Sequence, residues 1–295
     1  MRYPLYHVDV FAETKYAGNQ LAVVRNAAGL TDVEMQKIAG EMSYSETTFI
    51  LSDQKRDGGY DVRIFSLEEE LPFAGHPTLG TAYIIQQQII GQEVPLIKLN
   101  LKAGQIPVKF NYTDGMPGIL WMQQIAPSFG RTFDTADVAG ALNIEEDQID
   151  PRFPVQEVST GLPFIIVPLK SLDAVRACKI DSVGYLRLID QAKAKSIHVF
   201  CPETYLTKNQ VNTRMFDDYH GIAEDPATGS ANGCLAAYLV KYRYYGNKEI
   251  DIRVEQGYEI GRPSLLMLKA KEEEGGAISV SVGGNVIMVA RGELI

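Results

Sequence analysis

Two similar segments, each rich in glycine, proline and threonine, precede apolar helix-like stretches. The first covers residues 74–82 (AGHPTLGTA) and the second residues 225–231 (DPATGSA). They lie at comparable points of the two halves of the 295-residue chain, and short runs with β-type composition surround both. This repetition indicates a duplicated α/β domain with one main helix in each half.

The rest of the pattern predicts many short strands and a few helices. Runs rich in Val, Ile, Tyr and Phe predict strands in both halves. Thr31 and Glu34 form a capping-box pattern, and a second helix is expected to begin near Pro77, because proline is favoured in a first helical turn. In the second half, helices are predicted over residues 135–142, 183–193 and 228–241.

The boundary between the halves is expected near residues 124–131, where Pro127, Ser128 and Gly130 indicate a linker. We assign residues 1–124, with the C-terminal segment 286–295, to a first domain and residues 125–285 to a second. The chain length agrees with two domains of about 150 residues each.

Composition excludes several classes of protein. The chain has 28 Lys and Arg against 37 Asp and Glu, a net charge of −9, and no basic run that would bind nucleic acid or anionic lipid. No apolar stretch reaches the ~18 residues of a membrane span. Three dispersed cysteines, Cys178, Cys201 and Cys234, indicate a reducing compartment. We therefore expect a cytoplasmic protein without nucleic-acid or membrane partners.

The known cofactor and nucleophile motifs are missing from the sequence. It contains no G-x-G-x-x-G, no P-loop and no G-x-S-x-G elbow. The four histidines lack metal-ligand spacing: they are His7, His76, His198 and His220. The remaining possibility is acid–base chemistry on a small molecule, without a cofactor or metal.

The two glycine-containing helix starts are candidate anion sites. The first turn of a helix has unpaired N–H groups and a partial positive charge, and small residues such as Gly75, Gly229 and Ser230 let a ligand approach that backbone. A carboxylate or a developing oxyanion would be stabilised there. The alternative is that glycine and proline only form the turn.

Three ionisable residues are candidates for the chemistry. Glu46, among hydroxyl side chains at the start of an apolar run, is a candidate general base, or an exposed carboxylate at a strand end. His76 is a candidate neutral hydrogen-bonding group, or a helix cap or packed core histidine. Asp225, which precedes Pro226, is the third candidate, with an N-cap as the alternative interpretation.

Together these motifs resemble the PhzF-like (phenazine biosynthesis) family, which has the diaminopimelate epimerase-like fold. The segments that carry the resemblance, in the family's order, are VDVF (8–11), GNQLAVV (18–24), SETTF (45–49), ELPFAGHPTLGTA (70–82), EDPATGSA (224–231), EQG (255–257) and GRPS (261–264). They span nearly the whole chain.

The resemblance implies an α+β fold of two similar pseudo-repeat domains. Each would be a β-barrel-like sheet around a central helix, with the active site in the cleft between the two and a homodimer as the assembly. It implies a cofactor-independent isomerase that acts on a small carboxylate-bearing substrate of the trans-2,3-dihydro-3-hydroxyanthranilate type. Glu46 matches the family's acid/base, and Ser230, His76 and Asp225 match polar residues that hold or polarise the substrate. Gly75 matches a backbone contact.

Other functions remain open at this point. A binding protein could keep the cleft without turnover, and a hydrolase or lyase could use Glu46 differently. Racemases of the wider fold use two cysteine thiols, which would fall near Ala74 and Ala227 here. Because both positions are alanine, two-thiol chemistry is disfavoured.

Overall fold

Two units make up the chain in the computed structural model, which describes residues 2–295. The first unit comprises Met1–Gln123 and Gly283–Ile295, and the second comprises Gln124–Val282. The C-terminal segment therefore returns to the first unit.

The first unit contains eight strands and two α-helices before the chain passes to the second. In chain order these are β1 (Tyr3–Val10), β2 (Asn19–Arg25), α1 (Asp32–Met42), β3 (Glu46–Ile50), β4 (Tyr60–Ser66), β5 (Glu70–Leu71), α2 (Gly75–Ile85), β6 (Leu96–Leu101), β7 (Gly104–Thr113) and β8 (Met116–Gln123).

The second unit follows the same alternation with more helices. Its elements are β9 (Ser128–Thr132), α3 (Thr135–Leu142), β10 (Gln156–Ser159), β11 (Pro163–Pro168), α4 (Leu172–Ala177), α5 (Ser182–Asp190), β12 (Ser196–Cys201), β13 (Val211–Asp217), β14 (Ile222–Asp225), α6 (Gly229–Lys241), β15 (Glu249–Gln256), β16 (Ser264–Glu272) and β17 (Ile278–Gly284). The last strand of the chain, β18 (Val286–Leu294), belongs to the first unit.

Strand pairing shows that the two units repeat one topology. In the first unit the order is β18–β1–β2–β3–β4–β6–β7–β8, and every pair is antiparallel except β2–β3 and β4–β6. In the second unit the order is β9–β10–β11–β12–β13–β15–β16, with parallel pairs at β11–β12 and β13–β15. The parallel pairs occupy equivalent places, which confirms the duplication that the two helix starts predicted.

One central helix in each unit is enclosed by that unit's sheet. Helix α2 packs against β1, β2, β3, β6, β7 and β8, and all 11 of its residues are buried. Helix α6 packs against β10, β11, β15 and β16, and only Lys241 of its 13 residues is not buried. This accounts for the apolar composition of both helices on every side, since a helix without a polar face must be buried.

Matching side-chain pairs align the sequence of one unit with that of the other, residue by residue. Arg63 Nε lies 2.8 Å from Glu70 Oε1, and Arg214 Nη2 lies 2.7 Å from Glu224 Oε2. Each arginine also stacks on the phenylalanine two residues later in its strand. The strand before α2 and the strand before α6 are therefore held by equivalent ion pairs.

Most predicted elements are confirmed, including the capping box of α1, in which Thr31 and Glu34 bond each other's backbone N–H groups. Helix α2 begins at Gly75, two residues before Pro77, and α5 ends at Asp190 instead of residue 193. Helix α4 was not expected. It is only 6 residues long, too short for a periodic pattern to reveal it.

The expectation of a linker over residues 124–131 is wrong in part, because Ser128–Thr132 forms β9, which pairs with β10. Gly130 lies against the side chain of Glu157, and a Cβ there would lie 2.5 Å from Glu157 Oε1. The sequence of this segment lacks the alternation of apolar and polar residues that predicts a strand, and four of its five residues are exposed in the structure.

Gly257, which follows β15, is expected to tolerate no side chain. Its φ is +79°, and a Cβ would lie 2.4 Å from Arg262 O and 2.6 Å from Pro226 O. Gly246 has a φ of +77° but open space around it, so Gly246→Ala isolates the cost of the backbone conformation. We expect Gly257→Ala to lower the free energy of unfolding in urea by about 1–3 kcal/mol more than Gly246→Ala. Equal losses would show that the close backbone contact is unimportant.

Candidate active site

Glu46 is the first residue of β3, and two contacts hold that strand against α2. Thr48 Oγ1 accepts a hydrogen bond from Thr81 Oγ1 at 2.8 Å, between β3 and α2. The side chain of Glu46 is 17% exposed, and its Oε2 lies 3.4 Å from His76 Nε2. The carboxylate is therefore largely buried at the start of the central helix, and the interpretation of Glu46 as an exposed strand end is wrong.

His76 is the second residue of α2, and its side chain is 6% exposed. The N-cap position is occupied by Ala74, so His76 does not cap the helix. Burial lowers the pKa of His76 from its usual 6.5 to about 3, opposed only by a hydrogen bond to the backbone of Gln20. At neutral pH the ring is uncharged, and the contact with Glu46 is not an ion pair.

The hydrogen bond to Gln20 determines which nitrogen of His76 carries the hydrogen. Within residues 2–295, Nε2 of His76 has no hydrogen-bond partner, so Nδ1 is the atom that donates to the Gln20 backbone. A neutral imidazole that donates from Nδ1 has a lone pair on Nε2. That lone pair lies 3.4 Å from Glu46 Oε2, and it can accept a hydrogen bond from this carboxyl group when the carboxyl carries a proton.

In the second unit, Asp225 ends β14 and precedes α6. It is 5% exposed, and its Oδ2 accepts a hydrogen bond from the Thr228 hydroxyl. The N-cap of α6 is Thr228, so the interpretation of Asp225 as the cap is wrong. Gly229 and Ser230 are the first two residues of α6 and are buried.

Both central helices begin without a capping side chain. Neither Ala74 before α2 nor Thr228 before α6 caps the first turn with its side chain. The other four α-helices within residues 2–295 are capped by Thr31, Asp134, Ser171 and Asp181. The first-turn N–H groups of α2 and α6 are thus not engaged by a capping side chain, which is the condition for an anion to bind them.

The equivalence of the units shows that the candidate residues differ between them. Ile64 pairs with Leu71 and Met215 pairs with Asp225, so Leu71 is the counterpart of Asp225. By the same register, Glu46 corresponds to Ser196 and His76 to Ser230. The first unit alone carries the carboxylate–imidazole pair, and the second alone carries the aspartate.

The three cysteines are free and buried. Burial raises the pKa of Cys178, Cys201 and Cys234 to about 12 in each case. Cys234 lies inside α6, where Thr160 Oγ1 is 3.6 Å from its sulfur. Cys234 is fully buried and packs in the interior of its unit.

Residues 2–295 contain neither a cluster of metal ligands nor a membrane-spanning helix. No group of three or more His, Cys, Asp or Glu side chains is placed to hold a metal ion. No helix has the length and apolar character needed to cross a membrane.

Thr228 and Gln256 lie in the motif segments, but the sequence alone assigns them no role. Gln256 ends β15 and is fully buried, with hydrogen bonds to Asp225, Thr228 and Asn232. The sequence signal that could have identified Gln256 was its position, because it is a polar residue between a valine-containing strand and Gly257. Its partners lie more than twenty residues away in sequence, so the contact could not be read from the motif.

The sequence model of one family, described as phenazine biosynthesis-like protein (PhzC-PhzF), matches residues 8–292. The chain belongs to this family. It is similar to a trans-2,3-dihydro-3-hydroxyanthranilate isomerase of Pseudomonas fluorescens, with 34% identity over 98% of each chain. These findings confirm the resemblance that the motifs indicated.

Solved structures of related proteins have the same fold. A Bacillus anthracis phenazine biosynthesis protein of the PhzF family superposes with a TM-score of 0.91, at 28% identity, over 100% of this chain and 99% of that one. A probable proline racemase from Agrobacterium radiobacter gives a TM-score of 0.66 at 10% identity, over 99% of this chain and 93% of that one, which shows a shared fold alone. The α+β pseudo-repeat architecture is confirmed.

The lowered pKa of His76 predicts a loss of stability in acid. The unfolded chain takes up a proton on this residue near pH 6.5, whereas the folded protein does so only near pH 3. The stabilisation is therefore complete above pH 6.5 and is lost as the pH falls towards 3. Between pH 6.5 and 4.5 we expect wild type to lose up to about 2 kcal/mol more unfolding free energy than His76→Gln. Parallel urea curves for the two proteins at every pH would contradict the buried neutral histidine.

Proposed function

We propose that the protein is a cofactor-independent isomerase that moves a proton between carbons of a small carboxylate-bearing substrate, with Glu46 as the acid/base. The observation that carries this proposal is the buried Glu46 carboxylate, 3.4 Å from a neutral His76 at the uncapped start of α2. Membership of the PhzC-PhzF family and the activity named for the Pseudomonas relative support the same reaction class.

Glu46 acts by taking a proton from a C–H bond and returning it to another carbon. When the C–H bond breaks, its electron pair delocalises into the conjugated system, and negative charge develops on oxygen. The proton then resides on Glu46, where the Nε2 lone pair of His76 accepts a hydrogen bond from it. Proton transfer by such a group contributes about 10²–10⁴-fold to the rate.

The helix starts are proposed to stabilise charge on the substrate. Gly75 in the first unit, and Gly229 with Ser230 in the second, offer first-turn N–H groups to a carboxylate or an oxyanion. Asp225 is proposed as a polar contact that orients the substrate. Its burial at the end of β14 supports this role, since a buried carboxylate must be held by specific hydrogen bonds.

A two-thiol mechanism has no support in the residues. Ala74 is the N-cap of α2, and Ala227 is fully buried directly before the N-cap of α6. A thiolate is the nucleophilic and basic form of cysteine, and a pKa of about 12 leaves almost none of it at neutral pH for Cys178, Cys201 or Cys234.

Replacing Glu46 is expected to slow turnover strongly without unfolding the protein. In D₂O, wild type should convert trans-2,3-dihydro-3-hydroxyanthranilate into an isomer that has the same carbon skeleton and carries deuterium on carbon. Proton NMR measures the rate of this conversion. Glu46→Gln should slow this by about 10²–10⁴-fold, because the amide keeps the shape of the carboxylate but cannot accept the proton.

Glu41→Gln provides the matched control. Glu41 is exposed on α1, and its amide variant should turn over at the wild-type rate. If Glu46→Gln is as active as Glu41→Gln, the proposed mechanism is wrong. The mass of the product separates the remaining enzymatic alternatives, since a hydrolase or lyase changes the mass of the substrate and an isomerase does not.

Thiol reagents are expected to leave the activity intact. Because all three cysteines are buried and protonated, iodoacetamide at pH 7 should label none of them in the folded protein within an hour. Residual activity and intact mass are measured on the same sample, and urea-unfolded protein provides the labelled reference. Loss of activity in step with labelling of one cysteine would revive a thiol mechanism.

A further inference from the structure

The side chain of Gln256 makes four hydrogen bonds around the turn between β14 and α6. Its Nε2 donates to Asp225 O at 2.9 Å and to Thr228 Oγ1 at 3.1 Å. Its Oε1 accepts from Thr228 N at 3.2 Å and from Asn232 Nδ2 at 2.8 Å. Every hydrogen-bonding position of this fully buried amide is directed at the segment that presents Asp225.

Backbone groups fix the orientation of this amide. Asp225 O can only accept a hydrogen bond and Thr228 N can only donate one, so the Gln256 amide has one arrangement that satisfies both. With Nε2 towards Asp225 O, the same nitrogen must donate to the Thr228 hydroxyl. The orientation therefore follows from main-chain chemistry and needs no choice between the two flips of the amide.

This orientation determines the direction of the next hydrogen bond. The hydroxyl oxygen of Thr228 receives a hydrogen from Gln256, and its single hydrogen then points to Asp225 Oδ2. Gln256, Thr228 and Asp225 thus form a chain of hydrogen bonds with a single direction, which we call the relay. Asp225 Oδ2 is always the acceptor at its end. Any hydrogen bond that Asp225 donates must come from its other oxygen.

The first unit shows whether the turn before the central helix needs the relay, because it forms the same turn from different residues. The pairing of β4 with β6 and of β13 with β15 makes Leu101 the counterpart of Gln256. The counterparts of Asp225 and Thr228 are Leu71 and Ala74. All three relay positions are apolar in the first unit, which still forms the same strand–turn–helix with its glycine at the helix start. The turn therefore does not require the relay.

We propose that Gln256 and Thr228 are positioning residues that set the Asp225 carboxylate for its substrate. This inference rests on the proposed function, in which Asp225 contacts the substrate. The relay holds the carboxylate in one rotamer before the substrate arrives. Such preorganisation avoids ordering the group during the reaction.

A pair of threonine variants tests the relay without altering the shape of the turn. Thr228→Ser keeps the hydroxyl, whereas Thr228→Val keeps the volume and removes it. We expect Thr228→Val to lower kcat/KM for isomerisation of trans-2,3-dihydro-3-hydroxyanthranilate by about 10–100-fold, the range for a lost hydrogen bond to a charged group. Thr228→Ser should recover most of that loss. Thr132→Val, on the exposed part of β9, is the control for the substitution itself.

A double-variant cycle separates positioning from general destabilisation. If Thr228 acts through Asp225, then Thr228→Val should have no further effect on kcat/KM in an Asp225→Asn background. Thermal melting of each protein shows how much of any loss is unfolding. Equal rates for Thr228→Val and Thr228→Ser, or full additivity with Asp225→Asn, would overturn the proposal.

A measurement on the resting protein distinguishes failure of the relay from failure of the proposed function. Proton NMR should show a slowly exchanging Thr228 hydroxyl with a cross-peak to the side-chain amide of Gln256, and Gln256→Leu should remove it. Absence of this resonance from folded wild type would overturn the relay whether or not the protein turns over substrate. Its presence in a protein that does not isomerise would instead reject the Asp225 role, and with it the positioning assignment.

Discussion

A helix enclosed by a sheet can offer a ligand only the backbone and side-chain groups of its first turn, and the structure depends on this constraint. Helices α2 and α6 are buried along almost their whole length, so their apolar side chains pack against the sheet, and we assign chemistry to their N-terminal ends. The burial that stabilises each unit also excludes water around those ends. Desolvation there lowers the pKa of His76 and keeps its ring neutral beside Glu46.

The two helix starts share the residues that build the turn and differ in the residues around it. Both keep the elements that build the turn, an arginine–glutamate ion pair on the preceding strands and a glycine as the first helical residue. At two of the positions that differ, the first unit has Glu46 and His76 where the second unit has Ser196 and Ser230. The second unit has an aspartate, a threonine and a glutamine where the first has only apolar residues. The shared residues account for folding, and the residues that differ are those to which we assign chemistry.

Much of the architecture could be predicted because its signals are local. Strand composition, the capping box at Thr31 and the repeated glycine-containing helix starts each depend on neighbours within about one turn. The strand β9 and the short α4 escaped prediction for the same reason. An exposed edge strand and a 6-residue helix are held by tertiary contacts, so their own sequences carry little pattern.

The sequence by itself determined the family, the duplicated fold and the identity of the candidate residues Glu46, His76 and Asp225, because these depend on residue types in motifs. Only the tertiary structure decided their states. The burial that keeps His76 neutral, the tautomer set by Gln20 and the direction of the Gln256–Thr228–Asp225 relay arise where strands distant in sequence meet. Protonation and hydrogen-bond direction depend on solvent exclusion and on the partner groups around a side chain, which a linear motif does not contain.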